Sequence, residues 1–234
     1  MDFKGHFALT SGRCHPLTAL DDHSRYAVVL AACGGENTVT VQTRLTEAFE
    51  RYGLPGRILC DNGPPWGTAG SLHRHTPLTV WLMDLDVGVS HGRPLHPQTQ
   101  GKEERFHRTL KAEVLAGRQL ADLEQAQKAF DTWRSVYNTR RPHEALGMAV
   151  PASRYAISPR RMPKTVPPPE YESQAHVRMA REEGCINFKG RKLPCPKAFA
   201  GKPVALRATQ TDGVFDLCYR RHRLAQVDLR QAIS

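Results

Sequence analysis

Five prolines between residues 158 and 170 (Pro159, Pro163, Pro167, Pro168 and Pro169) constrain the fold more than any other stretch of this chain. Proline has a fixed φ and no amide hydrogen, so neither a helix interior nor a central strand runs through them. Residues 158–170 therefore read as a stiff linker between two parts, 1–157 and 171–234. The two parts carry different hydrophobic periods.

In the first part, residues 1–9, 16–21 and 26–32 read as three strands of an antiparallel meander, with Asp21-Asp22-His23-Ser24 as a turn. A helix follows over 37–52, its apolar face set by Val41, Leu45, Ala48, Phe49 and Tyr52 and its end by Gly53 and Pro55. Residues 57–60 are a short buried strand, 77–85 a short helix and 87–90 a last short strand. Residues 97–116 form a two-faced helix: Phe106, Thr109, Leu110, Glu113 and Val114 make an apolar stripe, and Glu104, Arg108 and Lys111 share another face beside His107. Asp122 with Gln125 caps a further helix, whose stripe is Leu123, Ala126, Phe130, Trp133 and Tyr137. Strands, a helix, a strand and further helices predict an α/β domain. In the second part, short β-prone runs at 175–181, 185–188, 191–194, 203–208, 214–219 and 224–228 are punctuated by Gly and charged turns. They predict a small all-β barrel or sandwich.

Charge separates the parts as well. Residues 1–99 carry 8 Lys/Arg against 9 Asp/Glu, whereas 100–234 carry 25 against 14, a net of +11. A basic back half suits a polyanionic partner, nucleic acid above all. The six cysteines lack metal-ligand spacing and sit among apolar neighbours, as small hydrophobes do in a reducing compartment. No run approaches the roughly 18 apolar residues of a membrane span, and no basic-then-apolar leader opens the sequence. The expectation is a cytoplasmic protein with no membrane contact.

Three carboxylates occupy places that suggest chemistry. Asp2 lies on the first strand, Asp61 at the C-terminal end of the fourth, and Glu104 on the two-faced helix. If the fourth strand pairs with the first, Asp2 and Asp61 lie side by side and Glu104 reaches them from the packed helix. Carboxylates brought together repel unless cations neutralise them, and hard divalent ions with a preference for oxygen do so. Two such ions activate an attacking hydroxyl and stabilise the leaving oxygen of a phosphodiester.

Several segments together resemble bacterial insertion-sequence transposases. They are Met1-Asp2-Phe3-Lys4-Gly5, Leu20-Asp21-Asp22-His23-Ser24-Arg25, Cys60-Asp61-Asn62-Gly63, His96-Pro97-Gln98, Gln100-Gly101-Lys102, Glu104 through Leu110, and Tyr137-Asn138 with Arg141-Pro142-His143. The family has a retroviral-integrase-type core, so the resemblance implies a ribonuclease-H-like fold with a mixed five-stranded sheet and an Asp-Asp-Glu triad over 1–157. Ile186 through Arg191 and Ala198 through Gly201 are similar to the small SH3-like barrel that follows the core in one branch of the family, so 171–234 is expected to be a DNA-binding barrel. Carried over residue by residue, Asp2, Asp61 and Glu104 match the metal-binding triad. Glu104, four positions after Gln100, is chosen over Glu103. Asp61 and Glu104 are 43 positions apart, longer than is usual for the group, and 67–78 reads as the inserted segment.

The resemblance further implies two Mg²⁺ ions, replaceable by Mn²⁺, and nicking of DNA 3′ ends followed by strand transfer through transesterification. It implies element ends and target DNA as partners, assembly as a homo-oligomer on DNA, and a nucleoid-associated location. Arg105, Arg108 and Lys111 would face DNA, as would Lys189, Arg191 and Lys192 in the tail; Arg141 and His143 belong to a family hallmark that is mainly structural, with a DNA contact as the alternative. Two rival readings are a degenerate remnant that only binds DNA and a ribonuclease-H-like nuclease without strand transfer.

Overall fold

The computed structural model describes residues 1–67, 75–92 and 101–230, which pack as two compact units. The first consists of 1–55, 59–61 and 91–162, and the second of 56–58, 62–90 and 163–234.

In the first unit, β1 (Asp2–Phe3), β2 (Phe7–Leu9), β3 (Gly12–Leu20) and β4 (Ala27–Cys33) form an antiparallel sheet. β1 and β2 are halves of the single strand expected over 1–9. β1 pairs with Leu17 and Thr18, and β2 with Gly12 through Cys14. The break falls at Gly5, whose φ of +87° suits glycine and strains any other residue. β4 lies along the other side of β3. α1 (Thr38–Tyr52) begins at Asn37, whose side chain accepts the Thr40 amide, and buries the apolar face named above. It stops at Gly53, with φ +76°. The next strand, β5 (Arg57–Cys60), pairs with β6 (Gly88–His91) as a ladder of its own among the described pairings. The Met1 amino group donates to the Leu59 carbonyl at 2.9 Å, which brings the start of β1 to the end of β5.

The second unit holds α2 (Pro77–Asp84), started by a reciprocal cap between Thr76 and Thr79. Its Val80 and Met83 share a core with Ile186, Phe199, Leu206 and Tyr219. Residues 62–90 thus pack with the second unit. Asp84 fixes this arrangement through Lys202 (2.8 Å), Arg220 (3.5 Å) and the Tyr219 hydroxyl. The strands that follow are β7 (His176–Met179), β8 (Cys185–Phe188), β9 (Arg191–Pro194), β10 (Pro203–Ala208), β11 (Val214–Tyr219) and β12 (His222–Asp228). Their described pairings are a four-stranded sheet, β12-β11-β10-β7, and a β8–β9 hairpin.

Back in the first unit, α3 (Gly101–Leu110) runs into a π-helical turn at Lys111–Leu115, and α4 (Leu123–Thr139) follows from an Asp122 cap. Phe106, Leu110 and Val114 meet Phe130, Trp133 and Tyr137 over the sheet residues Leu9, Cys14, Ala27 and Leu30. Full burial of each large apolar side chain contributes about 1.5–3 kcal/mol, so this layer fixes which side of α3 faces the strands. Buried Asn138 accepts the Ala27 amide at 2.8 Å and donates to the Ala27 carbonyl at 3.2 Å, pinning α4 to the start of β4. The linker is anchored at its start, because Ser158 donates its amide to Tyr52 and Arg160 accepts that of Leu54.

Candidate active site

Asp2 sits in β1 opposite Thr18 of β3. Asp61 immediately follows β5, and its backbone carbonyl accepts from His91 Nδ1 at 2.9 Å. A carbonyl only accepts, so His91 carries its hydrogen on Nδ1. The Asp2 carboxyl is pushed up to about 6, first by burial and then by the negative charges of Glu103 and Asp61; the Met1 amino group and the Phe3 amide oppose the shift. Strands and helix thus bring Asp2 within reach of the charges of Glu103 and Asp61. The helical acid that Asp2 feels is Glu103, and Glu104 is exposed.

The helix geometry explains this. Glu103 lies three positions before Phe106 and seven before Leu110, so it shares their inward face, while Glu104 is rotated by about 100°. The Glu103 side chain is 14% exposed and pairs with the Met1 amino group at 3.2 Å. Its Oε2 accepts from Thr18 Oγ1 at 3.1 Å. Thr18, fully buried, also donates to the Asp2 backbone carbonyl at 3.0 Å and lies 2.8 Å from His107 Nε2. Burial, the largest cause, takes the His107 imidazole down to about 4, against the opposing charge of Glu103. The ring is therefore neutral at pH 7. With the single hydroxyl proton of Thr18 directed at Asp2 and Glu103, His107 Nε2 carries the hydrogen that Thr18 accepts. Glu103, set aside for Glu104 on motif spacing, and Thr18 and His107, not among the expected site residues, thus stand beside Asp2. Their signal was available as the i, i+4 spacing of Glu103 and His107 on the buried stripe and as a threonine inside the apolar run Pro16–Leu20.

The other expected residues fall into two groups. Arg105, Arg108 and Lys111 are exposed along α3 and the π turn. Lys4 stands near Lys111: burial first and that neighbouring ammonium second hold its own ammonium below the usual lysine range. Arg141, by contrast, is engaged with Glu113, which also accepts from Trp133 Nε1 at 2.7 Å. The His143 ring packs edge-on against Tyr137 at 4.9 Å, held low by burial and then by Arg141, Arg25 and Arg105. In the second unit, Lys192 is exposed, Arg191 is half-buried, and Lys189 lies over Phe215 at 4.8 Å and Phe188 at 5.5 Å. Trp66 is buried. Residues 93–100, which carry the start of the expected 97–116 helix, lie outside the described residues, as does most of the 67–78 segment.

The donor set consists of carboxylate oxygens from Asp2, Asp61 and the first turn of α3, which is the chemistry that hard divalent cations take. The upward shift of the Asp2 carboxyl, by burial first and then by Glu103 and Asp61, agrees with that fit. Among the described residues, no three His, Cys, Asp or Glu side chains already stand together as a finished metal site. No described helix is long and apolar enough to cross a membrane.

Comparison with known proteins agrees along most of the chain. Two family models described as integrase core domain match residues 1–97 and 85–151, and the C-terminal domain of the IS481 family transposases matches 175–233. A 39.2 kDa protein of insertion element IS476 from Xanthomonas euvesicatoria is 27% identical over 152 residues, covering 65% of this chain and 42% of that protein. A 31.7 kDa protein of insertion element IS407 from Burkholderia multivorans is 27% identical over 146 residues, covering 62% of this chain and 50% of that protein. The chain thus spans about half the length of the curated relatives it matches. Among solved structures, the simian T-cell lymphotropic virus intasome, in complex with PP2A regulatory subunit B56 gamma, superposes with a TM-score of 0.51. That match has 16% identity and covers 92% of this chain and 73% of the other. The likeness gives the fold, an α/β integrase core of the ribonuclease-H-like kind followed by a strand-rich region.

Proposed function

We propose that this chain, which matches integrase core models over residues 1–97 and 85–151 and the IS481 transposase C-terminal model over 175–233, is an insertion-sequence transposase that performs metal-dependent DNA 3′-end nicking and strand transfer. Asp2, Asp61 and Glu104 would hold the ions, two Mg²⁺ or Mn²⁺ in their place, with Glu103 as a further carboxylate beside Asp2. Bound divalent ions would polarise the scissile phosphate and lower the pKa of an attacking hydroxyl. The observation that carries this reading is the Asp2 carboxyl, raised to about 6 in a buried setting that it shares with Glu103 and Asp61.

The protein's own residues do the positioning. The β1–β3 pairing fixes the Asp2 backbone, His91 holds the carbonyl of Asp61, and the apolar layer under α3 sets the height of the helix. Exposed Arg105, Arg108 and Lys111, with Lys4 beside Lys111, would run along the phosphate backbone. Lys189, Arg191 and Lys192 would add contacts from the second unit. Arg141 and His143 support α3 and the end of α4 in this reading, because their side chains are engaged with Glu113 and Tyr137. Element ends and target DNA would be the substrates, bound by a homo-oligomer at the nucleoid.

A second reading, a remnant that binds DNA without catalysis, is favoured by the exposure of Glu104 and by the absence of a finished three-residue metal site among the described residues. Mn²⁺-dependent nicking of supercoiled plasmid separates the two. The transposase reading predicts nicking that EDTA stops and that Asp61→Asn abolishes while DNA binding is retained. DNA binding with no nicking in any divalent metal would leave the remnant.

A further inference from the structure

We propose that Thr18 is a positioning residue, whose hydroxyl sets the spacing between the strand that carries Asp2 and the helix that carries Glu104. The inference rests on the metal-site reading above and concerns how the chain's own residues present their carboxylates.

The Thr18 side chain bonds to both elements. It donates to the Asp2 backbone carbonyl at 3.0 Å and to Glu103 Oε2 at 3.1 Å, and it lies 2.8 Å from His107 Nε2. Glu103 and His107 are one helical turn apart on the same face of α3, so the hydroxyl grips the helix at two successive turns. Thr18 is fully buried, and the Glu103 and His107 side chains are 14% and 13% exposed. Water does not readily replace these bonds, and a lost partner leaves buried polar groups unsatisfied. The apolar contacts of Phe106 and Leu110 are non-directional and fix the height of α3 without fixing its slide along the sheet. The directional bonds at Thr18 supply that constraint. Glu104 follows Glu103 directly, so the position of its backbone relative to Asp2 is set through Thr18.

The test is Mn²⁺ binding to the full 234-residue chain, read by the loss of the free-ion electron paramagnetic resonance signal without any DNA. Thr18→Val keeps the shape and removes the hydroxyl. It is expected to weaken Mn²⁺ binding about tenfold, the lower end for groups that orient a metal ligand, with far-UV circular dichroism unchanged. Thr18→Ser is expected to restore binding to within about twofold, since the hydroxyl alone is what the role requires. If the valine variant does not fold, the helix side of the contact carries the test. His107→Leu should then weaken binding and His107→Gln, whose amide nitrogen can donate to Thr18 where Nε2 does, should keep it; equal binding in the two would overturn the proposal. Wild-type affinity in T18V, or failure of T18S to restore it, would overturn the proposal while leaving the metal site intact. Mn²⁺ binding in the wild type no tighter than in D2N and D61N would remove the metal site itself, and the positioning role with it.

Discussion

Replacing Asp2 by Asn is expected to stabilise the metal-free protein while disabling it. The folded-state carboxyl of Asp2 rises from 3.8 to about 6, chiefly through burial and then through Glu103 and Asp61. A shift of that size in a fully buried group is worth ~3 kcal/mol. Asp2 is partly open to solvent, and screening reduces the figure to roughly half, ~1.5 kcal/mol. The sign follows from proton counts. Between pH 3.8 and about 6 the folded state binds more protons at Asp2 than the unfolded state, so stability falls as pH rises through that window. Above it the cost of the ionised carboxylate is fully present, and below it the cost is absent. Asparagine carries no charge, so D2N should melt ~3–6 °C higher than the wild type at pH 8. The difference should shrink toward zero as pH approaches 4. Thermal unfolding followed by circular dichroism in EDTA, read on the transition of the unit that contains Asp2, measures this directly. Equal or lower melting of D2N at pH 8 would refute the claim that the ionised Asp2 carboxylate, buried first and then crowded by Glu103 and Asp61, costs the fold stability.

Two further outcomes test the frame and the basic face. Asn138→Leu strips the Ala27 amide and carbonyl of their buried partners, and urea unfolding should show a loss of ~2–4 kcal/mol; a loss below about 1 kcal/mol would mean that water reaches the site. Substituting Arg105, Arg108 and Lys111 together by Gln should weaken binding to any duplex and reduce the slope of log affinity against log salt by ~2–3. An unchanged slope would place the phosphate contacts elsewhere.

Much of this molecule was legible before its structure. The strands Arg57–Cys60, Cys185–Phe188, Arg191–Pro194, Pro203–Ala208 and Val214–Tyr219 fall where alternation and turn residues put them. So does the helix capped by Asn37. These elements are set by local pattern, and local pattern is what a sequence displays. The partner of α2 was not legible, because an apolar helix such as Pro77–Asp84 suits any apolar surface, and its burial in the second unit depends on distant Asp84 contacts. The break at Gly5 was hidden for a similar reason, since glycine permits the turn without demanding it. At the site, motif spacing selects Glu104, whereas burial follows the rotation of the helix about its axis and turns Glu103 inward. Spacing along the chain and facing in space are separate constraints, and adjacent glutamates divide them.

Strand transfer is the activity that requires every part of the proposed site at once. Pre-cut terminal DNA of the element that encodes the chain is incubated with a plasmid target and the protein in Mg²⁺ or Mn²⁺, with parallel reactions in EDTA and with D2N and D61N. Carboxylates that hold catalytic metal give joined products that require the metal and vanish in both variants while DNA binding persists. Joining that survives either substitution, or DNA binding with no joining in any divalent metal, would contradict that role.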